Sequence, residues 1–380
     1  MEHCATAKYT TLAFGCGPRG HNKVTRYKIY SHADADGAIA ALLFREHLVR
    51  EYGDSIAVEI EPVDYIPLGE DKQSWFETPL SLPCAVLDFA LHPTLLLPRT
   101  CAGVSDHFKT IGLGCYWLDH HLSGGLVPFI TPSNLAEHCP PDLTAIWDPK
   151  ALSTPGLMRT HRSALKLRLD VLSEYEPLID YSEIIDGALY QSAAHAHDFS
   201  SMAVKLAALF SCRHPALHVT RFYNQLIDHL TMHTPRDTHA ALSALDADPI
   251  YAALLQHEQN QLQAKRVSYS RIAQLADGDR IALFDFRNSP SGWKGLGRFV
   301  PYELMPQCHY AIHVEPPDEQ GWSVISCGEN PWNRPPQPAE LGSFFACRYN
   351  GGGHKHVAGG KIKQHDTKAL DELVSFLSGK

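Results

Sequence analysis

The chain has 380 residues, enough for two or three domains and a sizeable core. It is 44% hydrophobic and 20% charged, without the run of about 18 apolar residues that a membrane span requires, so a membrane role is excluded from the expectations. The formal charge of −9 argues against a general polyanion binder, which needs a basic footprint. A phosphate-bearing ligand would instead be small and gripped by metal ions and a few placed cations.

Taken in chain order, Met1-Glu2-His3-Cys4 lacks the basic start and apolar core of a secretion signal. Gly15-Cys16-Gly17-Pro18-Arg19-Gly20 cannot hold regular structure, so the opening residues read as a loose extension. The ten cysteines (Cys4, Cys16, Cys84, Cys101, Cys115, Cys139, Cys212, Cys308, Cys327, Cys347) contain no C-x-x-C. They are expected to be free and largely buried thiols in a reducing, cytoplasmic setting. Strands are predicted at 27–30, 57–62, 85–88 and 115–118, with helices around 38–51 and 91–97, the pattern of a parallel sheet covered by helices. Pro128, Pro132, Pro140 and Pro141 then mark loops. Residues 163–213 are more continuously helical, with Leu165, Leu169, Leu172, Leu178, Ile179, Ile184 and Ile185 as their apolar positions, and 218–275 read as a helical connector. A second α/β unit begins near 280, with strands at 310–314 and 322–326, an irregular proline-rich loop at 331–338 and a glycine-rich loop at 350–353.

Three strand ends carry the chemistry. Ser31-His32-Ala33-Asp34-Ala35-Asp36-Gly37 sits between the first strand and the first helix, and so at the C-terminal rim of the sheet. One imidazole and two carboxylates at alternating positions surround a small volume and offer three ligands to a hard or borderline cation. In Cys84-Ala85-Val86-Leu87-Asp88-Phe89 a carboxylate ends an apolar strand, a costly place for a charge unless something positive meets it. The alternative is an Asp88 that caps a helix starting near Pro93. In Tyr116-Trp117-Leu118-Asp119-His120-His121 one imidazole can ligate a metal, and the other can donate a proton or hydrogen bond to a leaving oxygen. Gly124-Gly125 follows and allows close approach of a ligand. Near the C-terminus, Gly351, Gly352 and Gly353 can present backbone N–H groups to a phosphate, and His354 can add a hydrogen bond or charge. Lys355 and His356 are secondary candidates; the alternative is a tight strand-to-helix turn. Asp106-His107 imitates half of the third segment without a glycine pair and reads as structural, as do His195 and His197.

Together, His-x-Asp-x-Asp-Gly, the strand-end Asp and Asp-His-His resemble motifs I to III of the DHH phosphoesterase superfamily, whose members include RecJ-like exonucleases, nano-RNases, phosphoadenosine phosphatases, cyclic dinucleotide phosphodiesterases and family II pyrophosphatases. Gly351-Gly352-Gly353-His354-Lys355-His356-Val357-Ala358-Gly359-Gly360 resembles the GGGH-x-x-A-x-G signature of the DHH-associated substrate domain. The resemblance implies an N-terminal parallel-sheet DHH domain at 25–205, a helical connector at 206–278 and a smaller C-terminal α/β substrate-binding domain at 279–380. It implies a phosphoesterase for short oligonucleotides or small nucleotides, with two divalent cations: manganese, or magnesium or cobalt in its place. His32 and Asp34 would hold one ion, Asp36 and His120 the other, with Asp88 bridging. Asp119 would orient a ligand and His121 would contact the phosphate or leaving group. Two such ions acidify a water and neutralise charge on the phosphoryl group, so no amino-acid nucleophile is required.

For the family's last metal-binding Asp, Asp186 in Tyr181-Ser182-Glu183-Ile184-Ile185-Asp186-Gly187-Ala188 is preferred over Asp198. The Ser-x-Arg-Ser segment common before the glycine loop is replaced by Val324-Ile325-Ser326-Cys327-Gly328-Glu329-Asn330. Arg298 or Arg334 would then supply the cation, while Trp332 and Trp293 either stack on a base or pack loops. The runner-up readings are a pyrophosphatase or exopolyphosphatase, which the GGGH signature disfavours, and a non-catalytic nucleotide-binding regulatory protein, which would have lost its ligands.

Overall fold

The computed structural model describes residues 24–64, 80–81, 83–96, 113–121, 131, 133–212, 214, 217–234, 237–289 and 297–379. Cys4, Cys16 with its glycine-rich neighbours 15–20, Cys101, Asp106-His107, Gly124-Gly125, Pro128, Pro132 and Trp293 lie outside them.

The first sheet contains β1 (Thr25–His32), β2 (Ile56–Val63), β3 (Cys84–Leu87), β4 (Cys115–Asp119) and β5 (Leu143–Trp147). All its pairs are parallel, in the order β2-β1-β3-β4-β5. In this doubly wound order the strand sequence reverses between β1 and β3, and the crevice beyond their carboxyl ends is where such folds bind ligands. β5 adds a strand to those read from the sequence. Its three central residues are half-buried rather than alternating, so it carries no period-two signal. The helix expected over 91–97 is, among the described residues, only a 3₁₀ turn at Pro93–Leu96.

Helix α1 (Ala35–Tyr52) crosses the sheet. Ala38, Ile39, Ala40, Ala41, Leu42, Leu43 and Phe44 are at most 1% exposed, which explains why this helix is apolar all round rather than amphipathic. It starts three residues before the apolar run, because Asp34 is its N-cap and accepts from the Gly37 amide at 3.0 Å. A Cβ at Gly37 would lie 2.3 Å from the His32 carbonyl oxygen, so only glycine lets the helix start fold back on the strand end.

The helical layer continues with α2 (Thr154–Thr160), α3 (Glu176–Asp186), α4 (Met202–Ser211), α5 (Val219–His233), α6 (Thr238–Ala247) and α7 (Pro249–Ile272). From α5, the Tyr223 hydroxyl donates to the His32 carbonyl at 2.9 Å and lies 3.0 Å from Ser31 Oγ, fixing the end of β1.

The second sheet runs β10-β11-β9-β8-β7-β6, built from β6 (Gln274–Ala276), β7 (Ile281–Asp285), β8 (Tyr310–Val314), β9 (Trp322–Glu329), β10 (Gly352–Gly353) and β11 (Val357–Lys363). Only β7 and β8 pair in parallel. Its two faces alternate between cores, as a period of two demands. Ile281, Ile312 and Val314 pack with α8 (Leu341–Arg348) and α9 (Thr367–Leu377). Ala282, Phe284 and Ala311 face a core that continues through Leu262 and Tyr269 of α7 into α1 and the parallel sheet. A separate core, with Trp117 and Trp147 at its centre, covers the other face of the first sheet.

No disulfide joins the cysteines of the described residues, with Cys84, Cys115, Cys212, Cys308 and Cys327 buried and Cys347 exposed. No helix of the described residues is long and apolar enough to cross a membrane.

Candidate metal centre

The three strand ends converge. β1 and the first turn of α1 bring His32, Asp34 and Asp36. Asp88 follows β3 in a left-handed backbone conformation (φ 58°), its amide tied to the Leu118 carbonyl at 2.9 Å. That conformation costs strain for a side chain with a Cβ, and here it turns the carboxylate into the cluster rather than onto a helix end. Asp119 is the last residue of β4, followed by His120 and His121. Asp186, the last residue of α3, joins them, while Asp198 is exposed and accepts from the Ser200 amide.

Among the described residues four overlapping groups could hold an ion; two of them, His120 with His121 and His354 and Asp88 with Asp119 and His121, share members with the two that matter most here. His32, Asp34 and Asp88 form one; Asp36, His120 and Asp186 form the other. Asp88 belongs to both neighbourhoods, with Oδ2 at 3.6 Å from His32 Nδ1 and Oδ1 at 3.3 Å from His120 Nε2. His120 Nε2 also lies 3.3 Å from Asp36 Oδ2 and 3.4 Å from Asp186 Oδ2. It is buried and makes a hydrogen bond to none of these oxygens. Buried polar atoms are almost always satisfied, so an imidazole nitrogen ringed by three carboxylates fits a cation between them. Asp88 Oδ2 and Asp119 Oδ2 are likewise buried without a hydrogen bond. Imidazole and carboxylate donors suit borderline to hard divalent ions.

The electrostatics agree. Burial and the neighbouring Asp88 carboxylate push Asp36 well above the ordinary carboxylate range. Asp88 is held well below it, against its own burial, by His120 and His32. Opposite pulls on adjoining carboxylates mark a site that positive charge would balance.

Hydroxyl and amide donors hold the carboxylates in place. The Thr154 amide donates to Asp36 Oδ2 at 2.9 Å and its hydroxyl to Asp88 Oδ1 at 3.0 Å. The Ser182 hydroxyl donates to Asp36 Oδ1. Neither residue was found by sequence reasoning. For Thr154 a signal existed, since Ser153-Thr154-Pro155 has the form of an N-cap followed by an early proline, and the Ser153 side chain does accept from the Gly156 amide.

Asp119 is fully buried, and its Oδ1 lies 2.6 Å from His121 Nδ1. This leaves Nε2 as the available nitrogen of that ring. Burial acts to lower the His121 pKa, but Asp119 outweighs it and raises it to about 9. His354 arrives from the other unit and stacks on His121, with ring centroids 4.7 Å apart. Burial and the His121 charge push its pKa down to about 4. His354 Nε2 is 3.8 Å from Asp186 Oδ2.

The glycines before it are used differently from the expectation. They form no strand-to-helix turn but lead from α8 into a hairpin, Gly352 and Gly353 pairing with Gly359 and Ala358. The Gly351 amide, expected to face a phosphate, donates to the Phe345 carbonyl at 3.2 Å. A Cβ on Gly351 would stand 1.9 Å from the Gly359 oxygen, so this glycine is required by backbone packing. Lys355 pairs with Glu340, and His356 and Arg334 with Glu329. Trp332 donates to the Tyr190 carbonyl and packs on Phe299, a loop-packing role rather than an open stacking platform. Arg298 lies beside the cluster, lining a cavity with Asp34, Asp36 and Asp186 and donating to the Ile185 carbonyl.

No protein-family model and no curated protein sequence matches the chain. Solved structures do. A pGpG-specific phosphodiesterase, PggH from Vibrio cholerae, matches with a TM-score of 0.57 at 17% identity, over 93% of this chain and 99% of that one. The DHH domain of a member of the s1p family of ribosomal proteins matches with a TM-score of 0.50 at 13% identity, over 92% and 86%. An exonuclease RecJ bound to manganese gives 0.44 at 14% identity, over 93% and 90%. With its parallel sheet, helical layer and second mixed sheet, the chain has the DHH fold that its motifs imply.

Proposed function

We propose that the protein is a divalent-metal-dependent phosphoesterase that hydrolyses phosphodiester or phosphomonoester bonds in short oligonucleotides or small nucleotides. The observation that carries this reading is Asp88, which offers one carboxylate oxygen to each of two adjoining ligand sets. In it, His32 and Asp34 hold one cation, Asp36, His120 and Asp186 the other, and manganese is the first ion to test. Two divalent ions there supply Lewis acidity and lower the pKa of water, which makes a protein nucleophile unnecessary.

The remaining roles fall to this chain's own groups. Asp119 fixes His121 by its Nδ1, so that Nε2 is presented to the phosphate or leaving oxygen. His354 crosses from the C-terminal sheet to the same spot, and Arg298 adds a fixed cation beside Asp186. The glycine run acts through the placement of His354, since the Gly351 amide is engaged elsewhere. Residues 25–205 are the catalytic domain in this reading, 279–380 the substrate-binding domain and 206–278 their connector. The likeness of fold to a pGpG-specific phosphodiesterase makes a guanine dinucleotide the first substrate to try.

The test is metal-stripped protein, assayed before and after manganese addition, against dinucleotides, 3′-phosphoadenosine 5′-phosphate, cyclic dinucleotides, long single strands and pyrophosphate. Manganese-restored cleavage of the short nucleotides is expected. Activity that survives metal removal, or cleavage confined to pyrophosphate, would overturn the proposal.

A further inference from the structure

The face of the first sheet away from α1 carries two tryptophans, Trp117 of β4 and Trp147 of β5, with rings 5.8 Å apart at 61°. An indole N–H can only donate, and a buried one usually finds an acceptor. Trp117 Nε1 donates to the Phe89 carbonyl at 2.8 Å, and Trp147 Nε1 donates to the His121 carbonyl at 2.7 Å. Both carbonyls lie two residues past a strand end. β3 pairs with β4 as far as Leu87 and Leu118, and β4 with β5 as far as Asp119 and Trp147. The same device therefore occurs twice: a side chain of one strand reaches past the end of its neighbour and holds the turn that follows.

Those two turns carry the ligand candidates that join the two sets. Asp88 immediately precedes Phe89, and His120 immediately precedes His121. The left-handed backbone of Asp88 persists only where its surroundings over-determine it. The Asp88 amide is tied to the Leu118 carbonyl on one side, and Trp117 ties the Phe89 carbonyl on the other. The Phe89 ring also meets His32 edge-on, with centroids 5.7 Å apart at 62°, so the constraint extends to a second ligand candidate. At the next turn the Asp119 carbonyl accepts from the Asp148 amide at 3.2 Å and the His121 carbonyl from Trp147, which brackets His120. Packing alone would be served by any large apolar ring; the two hydrogen bonds require indole.

We propose that Trp117 and Trp147 are positioning residues of the metal centre, whose indole N–H groups lock the turns that hold Asp88 and His120 at their mutual distance, 3.3 Å between Asp88 Oδ1 and His120 Nε2. Trp117 acts on the carboxylate shared by both ligand sets, and Trp147 on an imidazole of one. The proposal rests on the metal-dependent phosphoesterase reading and deepens it, because the geometry of the centre is then set from the opposite face of the sheet. Neither tryptophan touches an ion or the substrate; each acts through the backbone beside a ligand.

The experiment is calorimetric titration of metal-stripped protein with manganese, with denaturant unfolding of the metal-free forms alongside. Trp117→Phe and Trp147→Phe keep an aromatic ring and lose the N–H. Trp117→Phe should weaken both ions by about 10–100-fold, and Trp147→Phe one ion by about tenfold. Leu143→Ala opens the same core at the opposite end of β5. It should lower the denaturant midpoint and leave both affinities unchanged. A readout that needs no variant is the indole ¹H–¹⁵N spectrum of wild type. The Trp117 and Trp147 signals should shift when magnesium binds, while that of Trp322, at the end of β9 away from the His354 hairpin, stays in place. Unchanged affinities in both tryptophan variants, an equal loss in Leu143→Ala, or indole signals indifferent to the ion would overturn the proposal. Tryptophan-dependent ion binding without hydrolysis of any phosphoester would overturn the phosphoesterase reading and leave the tryptophan role standing. Manganese-restored hydrolysis with ion affinities indifferent to both substitutions would do the reverse.

Discussion

The two parts of the chain that meet at the candidate site use their polar groups in opposite ways. On the N-terminal side, the backbone of β1, β3 and β4 is committed to the parallel sheet, and the ligand candidates are side chains at or just beyond the strand ends, joined by Asp186 from the end of α3. On the C-terminal side the glycine run commits its backbone to a hairpin, and among the described residues the side chain of His354 reaches the cluster, with Arg298 beside it. Glycines that admit another strand's backbone do so for packing, even where they look like a phosphate loop.

Substitutions can break or sharpen that contrast. The largest effect is expected at Asp186. Asp186→Asn should reduce manganese affinity more than about hundredfold, beyond what loss of an outer hydrogen-bond partner causes, while Asp198→Asn leaves it unchanged; calorimetric metal titration measures both. Equal effects would show that the cluster has been assigned to the wrong carboxylate. Thr154→Val removes the hydroxyl that steadies Asp88 but keeps the backbone amide to Asp36. It should lower metal affinity by about 10–100-fold. The smallest effects test the C-terminal side. Gly351→Ala should destabilise the fold by about 1–3 kcal/mol in denaturant unfolding, because its Cβ collides with the Gly359 oxygen. His354→Ala should stay within about 0.5 kcal/mol of wild type yet slow turnover. The reverse pattern would mean that the glycines serve the ligand and His354 the fold.

Much of this was legible in the sequence, and for identifiable reasons. A buried carboxylate is costly, so Asp88 at the end of Cys84–Leu87 and Asp119 at the end of Cys115–Asp119 announced a positive partner before any geometry was known. The choice of Asp186 over Asp198 rested on the space left by Gly187 and Ala188, and the structure brings Asp186 to the cluster. Other features were hidden. β11 contains Gly359 and Gly360, which count against a strand locally; Gly360 is required here because a Cβ on it would stand 2.7 Å from Tyr349 Cβ. Ser182 looks like any helical serine; only the fold sets it against Asp36. His197 read as part of a solvated helix end, but it is buried and its partner, Glu303, is more than a hundred residues away in the chain.

The central claim is that Asp88 joins two ligand sets into one binuclear centre. Electron paramagnetic resonance of the manganese-loaded protein tests it most directly. Two manganese ions per chain with the spectrum of an exchange-coupled pair, reduced to isolated or weakly bound ions in Asp88→Asn, is the predicted result. A single ion in the wild type, or a coupled pair that survives Asp88→Asn, would contradict the account.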